Sequence, residues 1–230
     1  MRKNIKIIFL NGNFKILVNG KFAKYDKFLE ISFINLEMIK AIVKELQTNK
    51  SENFQKISII NLNYISLQKT KLDLKNIIQE LLEFFHGDLI FYRVESPKEL
   101  KDLHNFYWDP IISKMKNEFN VNLKITNGIT IVPQSKSAER KIKNRISLLN
   151  SFELVGLELL VKLFGSFCIG YLLFSDFLNK KSAWKASILD EKWQMEKWGK
   201  DEEFLDVLSK KKEDLFLIKR FLDLIKKTNQ

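Results

Sequence analysis

The sequence predicts an α+β protein in which a small N-terminal β domain precedes a larger, mostly α-helical domain. Two observations support this fold class. The first thirty or so residues alternate between apolar and polar side chains and contain Asn-Gly pairs, which is typical of strands in hairpins. From Asn35 onward, apolar residues recur every three or four positions, which indicates helices with one buried face. The boundary between the two domains is expected near residue 70.

The N-terminal β unit is expected over residues 1–34. Its first two predicted strands, IKIIFL and FKILV, are joined by a turn at Asn11-Gly12, and a second Asn-Gly pair follows at Asn19. A sheet of this size is too small to be stable alone. A helix over residues 35–48, capped by Asn35, is therefore expected to pack on it.

Residues 71–230 are predicted to form the helical domain, and capping boxes indicate where two of its helices begin. Ser96 with Glu99 is expected to open one helix, which Pro110 should kink or split. Asn150 with Glu153 is expected to open a long apolar helix.

Two segments depart from this helical pattern. Residues 54–68 fit a strand and a helix about equally well. Residues 121–132 alternate in polarity around Asn127-Gly128, so a short β-hairpin is expected there.

The formal net charge of +11 at pH 7 raises the question of an anionic partner. Nucleic-acid readers favour arginine, because its planar fork forms paired hydrogen bonds. Here the basic residues are nearly all lysines, with five arginines, and they are spread along the predicted helices. We therefore expect no nucleic-acid partner. A basic adaptor that binds RNA or an anionic membrane surface is the alternative function.

The single cysteine indicates a protein of a reducing compartment, and the apolar runs bear on membrane insertion. Cys168 lies in an apolar run, where it is expected to pack in the core. The longest apolar stretch contains Glu158 and Lys162, and its uncharged part, residues 163–175, is shorter than the roughly 20 residues that cross a bilayer. No stable membrane insertion is expected. The N-terminal residues also lack the pattern of a signal peptide.

Residues able to support catalysis or metal binding are sparse. His86 and His104 are the only histidines, and neither has a cysteine or carboxylate at metal-ligand spacing. The sequence contains neither a glycine-rich phosphate loop nor a nucleophile-elbow motif. We therefore expect no enzymatic activity, no cofactor and no metal.

The stretch DEKWQMEKWGKDEEF, residues 190–204, combines tryptophans with many charges. If residues 182–198 form a single helix, Glu191 interrupts an otherwise apolar row on it. A carboxylate there is costly to bury unless a group pairs with it. The pairing group is either internal, such as Ser187 or a lysine of another helix, or it belongs to a partner protein. That row consists of Trp184, Ile188, Glu191, Met195 and Trp198.

Several segments of the chain together resemble one family. They are DLIFYRVESPKEL from Asp88, YWDPII from Tyr107, LLNSFELVGLE from Leu148, LDEKWQMEKWGKDEE from Leu189, and FKILVNGKFAK near the N-terminus. In this order and spacing they are similar to the ATP12 chaperones, assembly factors for the F1 sector of ATP synthase in mitochondria and alphaproteobacteria. The resemblance covers nearly the whole chain. It departs from the family pattern at Leu46, at His86-Gly87 and at Asn120.

The resemblance implies an ATP12-like fold and a non-enzymatic assembly chaperone without a cofactor. Such a chaperone binds the free α subunit of F1-ATPase and shields the surface that later packs against the β subunit. An acidic residue in the family's penultimate helix matches Asp190 and Glu191, and Glu191 is the one on the predicted apolar row. The candidate partner-binding residues are Asp190, Glu191, Trp193, Gln194, Met195, Glu196 and Trp198.

The resemblance also bears on the state and the location of the protein. A monomer with a protein client is expected. The lysine-, asparagine- and isoleucine-rich composition favours the bacterial cytoplasm, and the mitochondrial matrix is the expectation for a eukaryotic source.

Overall fold

The structure, a computed structural model, describes residues 4–25, 30–33, 35–48, 58–128, 132–199 and 202–226. A small N-terminal β region precedes a larger, mostly helical part, which confirms the predicted fold class. The chain divides into two compact units, Met1–Lys69 with Leu217–Gln230, and Thr70–Phe216. The domain limits derived from the sequence stay a prediction.

The described residues form six strands and ten α-helices. The strands are β1 (Ile5–Leu10), β2 (Asn13–Val18), β3 (Lys21–Phe22), β4 (Ser32–Phe33), β5 (Tyr92–Arg93) and β6 (Thr126–Asn127). The helices are α1 (Leu36–Thr48), α2 (Ile59–Gln68), α3 (Lys71–His86), α4 (Lys98–Phe119), α5 (Lys136–Ile146), α6 (Ser151–Phe164), α7 (Phe167–Phe174), α8 (Lys180–Ser187), α9 (Leu189–Trp198) and α10 (Glu202–Lys226).

The N-terminal sheet is built around β2, which pairs antiparallel with β1, β3 and β4. Asn11 and Gly12 both have positive φ, which a two-residue hairpin loop between twisted strands requires. Asn19 and Gly20 repeat this conformation before β3. Both turns predicted from Asn-Gly pairs are therefore confirmed.

Helix α1 packs on β2, and Ile16 at their contact is fully buried. The side chain of Asn35 accepts a hydrogen bond from the Glu37 backbone nitrogen at 2.8 Å, so the predicted cap is confirmed. The ambiguous segment forms helix α2, capped by Ser58. Residues 54–57 lie outside the described part of the chain.

The last helix returns to the N-terminal unit, to which its residues from Leu217 onward belong. Asn35 joins the two chain ends, because its side-chain nitrogen donates to the Leu224 carbonyl at 2.7 Å. Four apolar residues in the described part of this segment are buried: Ile218, Phe221, Leu222 and Ile225.

The helical unit has its core between α3, α6 and α7. The ring of Phe85 meets Phe91 and Phe167 edge to face, with centroids 6.0 and 5.8 Å away. The capping box of Asn150 and Glu153 is confirmed. The predicted long apolar helix is two helices, because Gly165 adopts a left-handed conformation and Ser166 caps α7.

Three local predictions differ from the structure. The capping box at Ser96 does not form, because Pro97 occupies the cap position and no side chain bonds to the start of α4. Pro110 does not split α4, which is continuous through it, and a kink at Pro110 stays a prediction. The predicted hairpin contributes β6, which pairs in parallel with β5, and residues 129–131 lie outside the described part.

No helix among the described residues has both the length and the apolar composition that crossing a membrane requires.

Candidate functional site

The segment expected to form one helix over residues 182–198 consists of two helices that meet at Ile188. Its φ of −113° and ψ of 24° lie outside the helical range, although its nitrogen still bonds to the Trp184 carbonyl at 3.3 Å. The regular turn of about 100° per residue therefore does not continue across it. Trp184 belongs to α8, whereas Glu191, Met195 and Trp198 remain together on α9.

Helix α9 carries all seven candidate partner-binding residues, and most of its surface is accessible. Leu189 is its one buried residue. Half-buried are Asp190, Glu191, Trp193 and Met195, and exposed are Gln194, Glu196 and Trp198, the last with 76% of its surface accessible. Gly199 ends the helix with a positive φ.

Two polar contacts join α9 to α4, and they place the two helices in antiparallel directions. Near the start of α9, Asp190 Oδ1 lies 2.6 Å from His104 Nε2. Near its end, Lys197 Nζ lies 2.7 Å from a carboxylate oxygen of Glu99. Contacts with α4 therefore lie at both ends of α9, and between them Trp193 faces α4 whereas Gln194 is exposed.

The Asp190 pair continues into a buried stack. The ring of His104 stacks on Trp108 with centroids 3.9 Å apart, and the Arg93 guanidinium lies 5.0 Å from the same tryptophan ring. Trp108 Nε1 donates to the Ala186 carbonyl at 2.8 Å, which ties α8 to α4. Burial lowers the pKa of Arg93, and the nearby Asp109 and Asp190 oppose this effect. Asp190 is thus part of the internal packing.

Glu191 has a different environment from its neighbour. Burial raises the pKa of its carboxyl group, and Asp190 adds to this shift. A hydrogen bond from the backbone of Glu191 itself and the charge of Lys211 of α10 oppose it. Within the described residues no basic side chain forms a direct ion pair with Glu191. Ser187, the internal partner considered from the sequence, instead donates to the Trp184 carbonyl at 3.0 Å. The carboxylate is therefore partly desolvated without a direct charge partner in the described structure.

Trp193 and Trp198 form an aromatic pair on α9, with ring centroids 5.9 Å apart and an interplanar angle of 78°. The Lys197 ammonium lies 5.8 Å from the Trp193 ring. Trp193 also lines a cavity of about 100 Å³ against Leu103 and Tyr107 of α4. Its indole nitrogen is buried and has no hydrogen-bond partner among the described residues. Trp193 therefore anchors the pair, and Trp198 presents its ring to solvent.

Two titratable residues, Asp88 and Cys168, are fully buried together in the core. Asp88 accepts hydrogen bonds from the backbone nitrogens of Cys168 at 2.7 Å and Ile90 at 3.2 Å. Burial raises the pKa values of both Asp88 and Cys168. Within the described ranges, no group of three or more His, Cys, Asp or Glu side chains is placed to hold a metal.

Comparison with known proteins identifies the family. Residues 3–116 match the family model described as ATP12 chaperone protein. The protein named "Protein atp12, mitochondrial" from Schizosaccharomyces pombe is 25% identical over 202 residues, which cover 84% of this chain and 68% of that relative. This chain belongs to the ATP12 chaperone family.

Solved structures show that the ATP12 fold extends over nearly the whole chain. Atp12 from Paracoccus denitrificans is 24% identical, with a TM-score of 0.86 over 96% of this chain and 95% of that one. A putative chaperone from Agrobacterium tumefaciens, Atu1473, is 20% identical, with a TM-score of 0.87 over 98% and 85%. Helix α9 lies outside residues 3–116, which the ATP12 family model matches.

Sequence reasoning placed every candidate residue on one helix but missed the pairing of Asp190. His104 and Asp190 are 86 residues apart, so no local pattern joins them. The available signal was the i, i+4 spacing of His104 and Trp108, which places both rings on one side of a helix. The role of the seven residues in partner binding stays a prediction.

Proposed function

We propose that this member of the ATP12 family binds the free α subunit of F1-ATPase, without catalysing a reaction, and shields its β-facing surface until the α/β ring assembles. The family comprises chaperones of ATP synthase assembly, and the α subunit is our choice of client. The proposed client-binding surface consists of six residues of α9: Glu191, Trp193, Gln194, Met195, Glu196 and Trp198. Asp190 supports this surface from within.

The observation that carries the proposal is the half-buried carboxylate of Glu191. Holding a carboxylate partly away from water is unfavourable unless a charge or several donors compensate it. Lys211 compensates only at a distance, because no direct ion pair joins the two groups in the described structure. A basic group of the client would complete the site, and the surrounding side chains would exclude water from that contact.

The apolar part of the surface comes from the aromatic pair. Tryptophan is enriched among the residues that dominate binding energy, because its large ring buries much area at a small entropic cost. Trp198 is mostly exposed and rests on Trp193, so its ring is available for a partner. A subunit surface that later becomes an interface is itself apolar, which makes it complementary to these rings.

Competition accounts for the release of the client. The β subunit and the chaperone contact the same surface of α in this proposal. Because binding to α is mutually exclusive, β displaces the chaperone by mass action once it is present at sufficient concentration and affinity.

The decisive experiment replaces Glu191 with lysine. E191K should abolish co-purification with the α subunit from the source cell, because the introduced ammonium group and that of Lys211 would then both repel the client's basic group. E83K is the matched control, since Glu83 is exposed on α3 and the change in charge is the same. Circular dichroism and thermal unfolding check that both variants fold.

W198A keeps the proposal testable if E191K fails to fold. Trp198 is 76% exposed, so its truncation should leave unfolding unchanged while it weakens α binding. L148A is the control for the loss of an exposed apolar side chain, because Leu148 is 83% exposed elsewhere on the molecule. If folded E191K and W198A both bind α as well as the wild type does, α9 is not the client surface.

Ionic strength distinguishes this function from a basic adaptor. Binding to RNA or to anionic lipid weakens steeply with added salt and should not depend on Glu191. Binding to α should persist at moderate salt and be lost in E191K. We place the protein in the bacterial cytoplasm on its composition, whereas the yeast relative is named as mitochondrial.

A further inference from the structure

A groove of about 590 Å³ lies between α8 and α10, and its floor is apolar. Trp184 of α8 and Leu215 and Phe216 of α10 line it. Leu215 is buried, Trp184 is half-buried, and Phe216 is 49% exposed. The groove has the volume of a typical binding pocket. An apolar side chain of a partner could therefore enter it and cover the phenylalanine ring.

Lysines surround this apolar floor, and we call the whole feature the lysine groove. Three of them lie on α8 and the fourth, Lys212, precedes Phe216 by one helical turn. The lining residues include no acid. Those on α8 are Lys180, Lys181 and Lys185.

The charge of the lysine groove is uncompensated within the described part of the chain. None of its four lysines forms an ion pair there, whereas Lys15, Lys162 and Lys197 each pair with a glutamate. The Lys180 ammonium instead lies 4.8 Å from the Phe216 ring. Four ammonium groups around one apolar groove create a local positive potential that an anionic ligand would neutralise.

We propose that the lysine groove binds an acidic segment of a protein partner, an extended stretch whose carboxylates flank an aromatic or aliphatic side chain. The side chain enters the groove and covers Phe216, and the carboxylates meet the surrounding lysines. Each exposed ion pair contributes little by itself. Affinity therefore requires both the apolar contact and several carboxylates together, and this requirement makes the groove selective.

A protein ligand fits these features better than a nucleic acid does. The lining residues include no arginine, which reads phosphates and bases in pairs of hydrogen bonds. Single-stranded nucleic acids follow long charged grooves with successive stacking platforms, whereas this groove is confined to two short helical faces. Membership of a chaperone family also favours a protein partner.

The inference goes beyond the client contact on α9 and is independent of it. Glu191 and Trp198 do not line the lysine groove, and Lys185 is the one residue that lines both this groove and the cavity beside Trp193. Variants of Lys181 and Lys212 therefore test the groove without changing the proposed client surface.

The test measures binding of labelled synthetic peptides to the full chain by fluorescence anisotropy. The probe is a short peptide of glutamates and aspartates around a central Phe-Leu pair, and its matched control has glutamines and asparagines in place of the acids. We expect the acidic peptide to bind at least about tenfold more tightly. The double variant K181E/K212E should bind the acidic peptide roughly tenfold more weakly than the wild type does. F216A should also bind this peptide more weakly.

The control variant K101E/K143E makes the same change in net charge at exposed lysines outside the groove. It should bind the acidic peptide as the wild type does. If K101E/K143E and K181E/K212E bind the acidic peptide equally weakly, binding depends on the overall charge and the proposal is overturned. Equal affinity for the acidic and the amide peptides would also overturn it, as would displacement of the acidic peptide by an equimolar oligothymidylate. Thermal unfolding of each variant confirms that the chain is folded.

Discussion

Asp190 and His104 meet at 2.6 Å, although 86 residues separate them in the chain. The His104 side chain is 2% exposed, and that of Asp190 is 33% exposed, so the bond joins the core to the surface. The next residue, Glu191, has no direct ion pair in the described structure. The two adjacent acids therefore differ in their contacts: Asp190 bonds to α4, and Glu191 is half-buried without a direct ion pair in the described structure.

Loss of the Asp190 carboxylate should destabilise the protein. In D190A, the buried imidazole of His104 has no acceptor for its Nε2 hydrogen, and we expect the free energy of unfolding to fall by about 2 kcal/mol. D190N keeps an acceptor oxygen and should lose less. Urea unfolding measures both changes. E196A, which removes an exposed acid of the same helix, should remain within about 0.5 kcal/mol of the wild type. A D190A variant as stable as E196A would show that the pair is not structural.

The raised pKa of Glu191 predicts a pH-dependent stability difference. Between its usual value of 4.5 and its raised value, the folded state binds more protons than the unfolded state does. The stabilising contribution of this group is therefore present below pH 4.5 and is lost as the pH rises through the raised pKa. E191Q does not titrate, so its stability relative to the wild type should increase with pH above 4.5.

Urea unfolding of E191Q and the wild type, over a pH series from below 4.5 to neutral, measures this difference. K211M provides a second check, because removing the opposing charge of Lys211 should extend the effect to higher pH. A stability difference that stays constant across the series would contradict the desolvated state of Glu191.

Gly170 should not tolerate a methyl group. A Cβ at this position would lie 2.8 Å from Val161 Cγ2 and 3.1 Å from the Val161 nitrogen, so α6 and α7 would have to separate. We expect G170A to lower the free energy of unfolding by about 1–3 kcal/mol. G87A is the control, since its nearest neighbour would be 3.7 Å away. The double variant G170A/V161A should regain part of the lost stability, because the clash with the Val161 side chain is removed while the close contacts with the Val161 backbone remain. Complete recovery would show that the clash involves only the Val161 side chain.

The side chain of Glu45 should stabilise the start of α2 by accepting hydrogen bonds from its backbone nitrogens. Its two carboxylate oxygens accept hydrogen bonds from the nitrogens of Ile59 at 2.9 Å and Ile60 at 3.1 Å, where the helix has unpaired donors and a positive dipole end. We expect E45A to lower the free energy of unfolding by about 1–2 kcal/mol, as measured by thermal or urea unfolding. Q47A, at an exposed position of the same helix as Glu45, should change stability by less than about 0.5 kcal/mol. Similar effects from both variants would argue against the cap.

The features predicted correctly from the sequence depend on residues close together in the chain. The Asn11-Gly12 turn needs only two adjacent positive φ values, and the Asn150–Glu153 box needs only one helical turn. The capping box at Ser96 failed for a local reason as well, since Pro97 itself occupies the cap position. Helix α2 could not be distinguished from a strand because its burial comes from tertiary packing rather than from a clear period.

Periodicity by itself determined that a charged helix with two tryptophans lies near the C-terminus, and the family resemblance selected Asp190 and Glu191 on it. Only the tertiary structure decided which contacts each acid makes. The helix breaks at Ile188, on either side of which Ala186 and Asp190 bond to Trp108 and His104 of α4. Those partners lie 78 and 86 residues away in the chain, beyond the reach of any local pattern. Burial and pairing depend on distant residues brought close together, so only the tertiary structure shows that Asp190 bonds to His104 and that Glu191 forms no direct ion pair among the described residues.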